Sequence, residues 1–521
     1  MRTMSLRVQK TILQIRNFNK MMRRIFKNKK AAVGLILLVF FSLVAIVGPF
    51  FTSSDPIAAG GVPIGSKEMP IAAPYACPEW YRDLLGGNYT KNIYIVSDPG
   101  FSDPSKLSLW KNSTTDPGIH VDYGTSTGKD DGFIEMTFTR EGNATISIDF
   151  LYPYEVSPIQ FASEYSYRVD TQYPQTREQA NFTLFLNFEH KIPGSSYMRA
   201  FPAAFPTVID VSNATWNSVY SDQASSTSPN VLLLYGREDP SPIIFAKPRA
   251  YTLDLTVQFS RNETAYGGNV TAYGNPKFLL DNVNSVLFGN SFGLLGTDDL
   301  ERDIFTQLVV GTRISFVIGI VSAVLSVGIG LIVGLVAGYV GGATDEILMR
   351  VNDMLLVIPS LPLTIVLVFV LGQSMLNIIV VVGVLGWMGF ARTVRSAVLS
   401  LKERSFIEAV KASGGGRGYI IRRHIVPNVF PLIYITLAMS VPGAIVSEAA
   451  LSWLGLGPLD VMSWGRILYQ FEGAGAAVAM NAFRYWYWAI PPGICIALLS
   501  LSFVLIGYAL DEILNPRLRE R

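Results

Sequence analysis

Few side chains in this sequence are placed to do covalent chemistry. Its three histidines, His120, His190 and His424, are too few and too scattered for a zinc site and read as structural. Cys77 and Cys495, the only cysteines, support neither a disulfide framework nor a thiolate metal site. No Gly-x-Ser-x-Gly element flanks His120 or His190, so no nucleophile triad is assigned. A Gly-x4-Gly-Lys-Ser/Thr phosphate loop is also missing. The cluster Gly414-Gly415-Gly416-Arg417-Gly418 lacks the lysine, the hydroxyl and the preceding strand. The chain therefore has no assigned catalytic residue, metal or bound cofactor, and the energy for any work it does must come from a partner or a gradient.

Three stretches remain informative. Asp298-Asp299-Leu300-Glu301-Arg302-Asp303 has the acids of a Ca²⁺ loop, but a helix-entry cap with a local ion pair is the favoured reading. Glu448 is an ionisable residue inside an apolar run, a candidate either for lining a translocation path or for pairing with a neighbour. Arg313, at the start of another run, is expected to snorkel to the membrane surface. The third stretch is 404–428. Residues 405–413 make good helix sequence, the glycines at 414–418 allow a turn, and 419–426 form a second helix that Pro427 is expected to close. A surface helix anchored at both ends to apolar segments can transmit a push from a soluble partner.

The elements that carry these residues are apolar helices. Half of the 521 residues are hydrophobic and 16% are charged, and the mean hydropathy is positive, which implies a bilayer. The run 31–51 is long enough to cross ~30 Å of hydrocarbon and too long for a signal-peptide core. Further spans are expected at 314–339, 354–371, 376–390, 429–451 and 488–510, making six. Ten Lys/Arg and no acid precede the first run, which sets residues 1–30 as a cytoplasmic basic segment. A nucleic-acid role for that arm is the rival reading, disfavoured by the apolar run that follows it. With six spans both termini lie inside, as does the loop 392–428, where basic residues dominate. Trp453, Trp464 and the run Tyr485-Trp486-Tyr487-Trp488 are expected to anchor at the outer membrane surface.

Between the first and second spans the character changes. Residues 52–306 carry 29 Asp/Glu against 17 Lys/Arg and contain no run able to span a bilayer. Short segments at 133–138, 145–150, 182–188, 231–235 and 251–259 are separated by turn residues and read as strands of a β-sandwich outside the membrane. All seven Asn-x-Ser/Thr sequons, at Asn88, Asn112, Asn143, Asn181, Asn213, Asn262 and Asn269, fall here, which favours an extracellular face open to N-glycosylation.

The loop also resembles a known family, the inner-membrane permeases of ABC importers of the dipeptide/oligopeptide type. Their Glu-Ala-Ala-x3-Gly signature and the following His-Ile-Leu-Pro-Asn appear as Glu408-Ala409-Val410, Gly414 and His424-Ile425-Val426-Pro427-Asn428, with Val410 and Val426 as conservative departures. Arg23-Arg24-Ile25-Phe26-Lys27-Asn28-Lys29, Asp55-Pro56, Gly296 to Asp303 with Glu301 where glycine is usual, Glu448-Ala449-Ala450-Leu451-Ser452-Trp453-Leu454-Gly455-Leu456-Gly457, Ser463-Trp464-Gly465 and Asn515-Pro516-Arg517-Leu518 resemble the same family's landmarks. The resemblance covers about 20–56 and 290–521 and leaves the stretch from about 60 to 285 unexplained.

What the resemblance implies is a six-span polytopic α-helical membrane protein of the type I importer permease fold, with a large extracellular β-sandwich insertion between spans 1 and 2. The expected divisions are 1–30, 31–51, 52–306 and a five-helix core at 307–521. Glu408, Ala409, Gly414, Arg417, His424 and Pro427 would form the contact with a cytoplasmic ATPase. ATP and Mg²⁺ would be held by two such ATPase subunits, a second permease subunit would complete a heterodimer, and an extracellular solute-binding protein would deliver substrate. Di- or oligopeptides are the leading cargo, with oligosaccharides and nickel complexes also carried in the family. Two other classes compete. An ion-coupled secondary transporter should show mid-membrane ionisable residues and related repeats, which are not evident; a membrane-anchored receptor needs only one span.

Overall fold

The computed structural model describes residues 28–514 apart from 53, 63–68, 86–87, 104, 125–131, 171–179, 192–197, 205, 211–214, 220–223, 262–274 and 479–482. The chain divides into two compact units, Met1–Ile57 with Ile304–Arg521, and Ala58–Asp303.

The first unit is helical. Helix α1 (Lys29–Val47) starts at Asn28, whose side-chain oxygen accepts from the Lys30 backbone N–H at 3.0 Å, satisfying one of the donors that a helix start leaves open. The amide nitrogen of Asn28 donates to Glu512 at 2.7 Å, tying the first helix to the end of the last. Helix α2 (Ile304–Val340) has 37 residues, on the order of 55 Å at 1.5 Å per residue. It begins ten residues before the span expected at 314.

Two expected spans are then broken. Helices α3 (Gly342–Val357) and α4 (Ser360–Leu371) meet at 91°. The expected straight span at 354–371 is thus corrected. Ile358, which precedes Pro359, is extended with ψ 128°, because the proline ring disfavours helical backbone in the residue before it. Helices α5 (Met375–Leu385) and α6 (Met388–Lys402) bend by 41°, and α6 runs twelve residues beyond the expected end at 390.

Helices α7 (Ser405–Ala412) and α8 (Arg417–Ile420) follow, then a π-turn at Ile421–Ile425 and α9 (Val426–Leu451). After a second π-turn at Ser452–Leu456 come α10 (Trp464–Gly473) and α11 (Trp486–Leu514). Among the described residues, four stretches of helix are long and apolar enough to cross a membrane, and the number rises to six if each bent pair is one span. The protein is therefore a multi-pass membrane protein.

Close approach of α2 and α6 rests on three glycines at four-residue spacing. A Cβ on Gly334 would sit 2.6 Å from the Ala391 carbonyl oxygen, one on Gly338 2.8 Å from Val398 Cβ, and one on Gly330 2.9 Å from the Trp387 oxygen. This is the small-residue seam by which membrane helices bring their backbones together.

Several aromatics assigned to a membrane-surface belt are core residues instead. Trp464 is fully buried, its indole N–H donates to the Leu308 oxygen at 3.0 Å, and its ring meets Phe41 edge-on. Tyr487 and Trp488 are buried as well, Trp488 against Phe471. These rings have more apolar area than polar tip, and the helices offer a place to bury it. Trp453 is exposed.

Among its described residues, the second unit is built from two six-stranded antiparallel sheets. Its strands are β1 (Ile93–Tyr94), β2 (Trp110–Asn112), β3 (Ile119–Gly124), β4 (Phe133–Phe138), β5 (Gly142–Tyr152), β6 (Gln160–Asp170), β7 (Ala180–Lys191), β8 (Met198–Pro202), β9 (Thr207–Asp210), β10 (Asn217–Val219), β11 (Arg249–Arg261) and β12 (Lys277–Phe288). One sheet runs β10-β6-β12-β4-β3 with β1 on β12; the other runs β2-β5-β11-β7-β8 with β9 on β7. Alternation drives the packing: Ala144, Ile146, Ile148 and Tyr152 of β5 are buried, and one core takes Phe138, Phe161 and Phe278 from the first sheet with Phe182, Phe188 and Leu253 from the second. The segment 231–235, expected as a strand, lies mostly in a short helix (Pro229–Leu234). Pro229 suits the first turn of a helix and cannot donate to a ladder.

Candidate functional site

The loop between α6 and α9 is shaped by its glycines. Ser413 ends α7, and Gly414 follows with φ +83°, a left-handed conformation that glycine adopts without the Cβ penalty. The Gly415 N–H then closes back on the Val410 oxygen at 2.9 Å. Beneath the loop Ile407, Ile420 and Ile425 are buried in one apolar cluster with Val327, Phe390, Val394, Val398 and Val429. Its other face is open: Glu408, Ala409, Gly414, Arg417 and Pro427 are exposed, as are Phe406 and Tyr419. His424 is half-buried, with Tyr419 at 5.6 Å and Phe406 at 6.4 Å between ring centroids.

Pro427 does not close the second helix, which corrects the sequence reading. It lies in the first turn of α9, and the π-turn before it leads the chain without a stop from Arg417 to Leu456. A proline has no N–H to give, and the longer i→i+5 bond of the π-turn, Val426 N–H to Ile421 oxygen, bridges the step. The exposed loop is thus rigidly continuous with a membrane helix. Two ion pairs brace α6 beside it, Arg395 to Asp345 at 2.5 Å and Arg392 to Asp353, both reaching α3.

Farther along the same helices lies a cavity of about 310 Å³. Six hydroxyls line it, from Ser322, Ser326, Ser360, Thr364, Ser440 and Ser447, with Ala323, Leu361, Val382, Leu385, Gly386, Ala444 and Leu451 among the rest and no charged residue. Sequence reading missed these residues. The serines sit singly in apolar runs, and only the 91° break at Pro359 brings Ser360 and Thr364 to the others.

Glu448 is not among the residues that line this cavity, and of its two readings the contacts match the pairing one. It is fully buried, and its Oε1 accepts from Ser452 at 2.8 Å and Ser463 at 2.6 Å. Ser463 also accepts from the Arg466 N–H as the cap of α10, so Glu448 ties the end of α9 to the start of α10. Arg313 is exposed.

In the second unit, Asp298 and Arg302 form a buried pair at 2.7 Å, and Asp298 accepts the backbone N–H groups of Leu300 and Arg302. That is the turn-and-ion-pair arrangement. Glu301 stands at φ +64°, which explains the usual glycine there. Its carboxyl accepts from Gln160 at 2.9 Å, and burial holds it above the usual carboxylate range. Of the sequon asparagines, Asn88, Asn112 and Asn143 are exposed, and Asn181 is half-buried with its oxygen accepting from Ser260. Asn213, Asn262 and Asn269 lie outside the described residues.

A multi-pass helical unit with a broken-helix cavity and a braced, exposed loop is the form of a membrane permease. The chain belongs to the family described as binding-protein-dependent transport system inner membrane component, whose model matches residues 330–520. The N-terminal TM domain of oligopeptide transport permease C matches residues 18–61. Among its relatives, the oligopeptide transport system permease protein OppC of Bacillus subtilis is 41% identical over 229 residues, 43% of this chain and 72% of that protein. OppC of Escherichia coli is 40% identical, over 43% and 72%, and the dipeptide permease DppC of Bacillus subtilis 37%, over 43% and 68%. A solved MetNI methionine ABC transporter chain is similar at 21% identity and TM-score 0.33, covering 40% of this chain and 95% of that one. Residues 62–329 lie outside both family matches.

Proposed function

We propose that the chain is one of two permease subunits in an ABC importer for di- and oligopeptides. An external binding protein delivers the peptide and two cytoplasmic ATPases drive its passage. The similarity to OppC, at 41% identity across 72% of that protein, carries the reading. Further support comes from the family match, which takes in the whole loop at 404–428. In this reading the exposed α7 face, with Glu408, Ala409 and Gly414, docks on an ATPase, and Arg417, His424 and Pro427 lead its motion into α9. Peptides pass the hydroxyl-lined cavity, whose lack of fixed charge suits cargo of varied side chains. Both termini lie inside, and 52–306 lies outside as a β-sandwich carrying glycans on its sequons.

Reconstitution in proteoliposomes with the binding protein, the second permease and the ATPases tests this. ATP-dependent uptake of a labelled tripeptide is the expected result, and uptake driven by a proton or sodium gradient without ATP would overturn it. Gly414→Val, strained by about 1–2 kcal/mol at its left-handed φ, should leave the complex in the membrane but separate ATP hydrolysis from uptake. Full coupling in that variant removes Gly414 from the contact.

A further inference from the structure

We propose that a second cavity, in the β unit, binds the ammonium group of a peptide with a free amino terminus; the choice of a peptide rests on the transport reading above. The cavity holds about 350 Å³ and is lined by Asn88, Tyr89 and Thr90 on one side and Pro153, Tyr154, Glu155 and Val156 on the other. That volume is at the lower end of small-ligand sites. Its chemistry is specific: two phenol rings, one carboxylate, an amide and a hydroxyl, with no lysine or arginine among the described residues that line it. Glu155 is exposed and makes no ion pair among the described residues. A carboxylate without a counter-ion beside electron-rich rings attracts a cation through charge and through the ring quadrupoles together.

Both walls are built and held. On the first, Asn290 accepts from the Thr90 N–H at 2.7 Å and donates its amide to the Asn88 oxygen at 3.0 Å, while Ser291 donates to the Thr90 oxygen at 2.9 Å. Gly289 is required beside them, since a Cβ there would lie 2.0 Å from that same oxygen. On the second wall, which is the turn between β5 and β6, the buried Tyr152 hydroxyl donates to the Val156 oxygen. Each lining ring is also packed edge-on by another tyrosine, Tyr154 by Tyr152 at 5.6 Å and Tyr89 by Tyr81 at 6.1 Å. A site fixed before the ligand arrives loses less entropy on binding.

The test is calorimetric titration of the full chain in lipid nanodiscs, free of glycans because Asn88 belongs to a sequon. Trialanine should bind, N-acetyl-trialanine should not, and Glu155→Gln should weaken trialanine by about tenfold or more. Tyr154→Leu should weaken it as well, and unchanged thermal unfolding of both variants shows that the fold is intact. Equal binding of the two peptides, an unaltered affinity in Glu155→Gln, or binding of a neutral trisaccharide in place of trialanine would each overturn the proposal. Tripeptide uptake by the reconstituted complex is scored separately. Normal uptake with no titration signal sinks this proposal alone, whereas a normal titration with no uptake sinks the transport reading and leaves the cavity assigned to free amino termini.

Discussion

At the scale of single residues, Glu448 shows how a buried acid is held. One oxygen collects two serine donors from separate elements, so its loss would strand Ser452 and Ser463 in the interior. Glu448→Ala should cost about 2–4 kcal/mol, since each stranded donor or lost bond is worth about 1–2. Glu448→Gln, which keeps an accepting oxygen, should cost much less. Thermal unfolding in detergent measures both, and equal losses would show that the charge and not the hydrogen bonds matters. A second acid sits half-buried on the outer face of a sheet. Glu189 is pushed up to about 7 by burial and by Asp254 beside it. In the folded unit this group keeps its proton where the unfolded chain has lost it, so its contribution to stability is greatest below about 4.5 and falls as pH rises towards about 7. Glu189→Gln should flatten that fall in a melting series from pH 4.5 to 7.5; a slope equal to the parent's would place the titrating group elsewhere.

Elements explain why some glycines are indispensable and others are not. The α2 seam places Gly334 against the α6 backbone, whereas nothing lies within 4 Å of a Cβ on Gly328 of the same helix. Gly334→Leu should therefore force α2 and α6 apart and lower the yield of folded protein sharply, at a cost of about 3 kcal/mol or more. Gly328→Leu should be close to neutral. Size-exclusion profiles in detergent compare the two, and matched behaviour would contradict the seam. The same scale accounts for the broken helices. Pro359 turns the chain by 91° and in doing so supplies two of the six hydroxyls of the cavity.

For the whole molecule the prediction concerns sidedness. The proposed orientation, with 52–306 outside and the basic loop around Lys411 inside, rests on the acidic balance of 52–306, its confined sequons and the basic charge of the loop. Protease added outside intact cells should cleave within 52–306 and spare the loop. Cleavage of that region only from the cytoplasmic side would reverse the orientation.

Much of this was legible in the sequence because it is written in local chemistry. Apolar length marked the membrane segments, the Glu408 to Asn428 motif marked the exposed loop, and the glycines at 414–418 marked its turn, since backbone freedom belongs to the residue type. The stretch from Asp298 to Asp303 was readable as holding a local ion pair, and the structure shows which residues form it, Asp298 and Arg302. Other features depend on which surfaces meet. Trp464 and Trp488 carry the composition of an interfacial belt, yet packing buries both rings, Trp464 with the Leu308 oxygen as acceptor and Trp488 against Phe471. The cavity joins serines more than a hundred residues apart, from Ser322 to Ser447, and no periodicity links them. For Glu448 the apolar run left two roles open, path lining and pairing; only its orientation towards Ser463, fifteen residues away, made it a brace. Sequence alone determined that this chain lies in a membrane and presents a helical loop at its surface. Tertiary structure decided which polar groups face open space and which face each other, because that choice depends on helix bends and crossings set by contacts between distant residues.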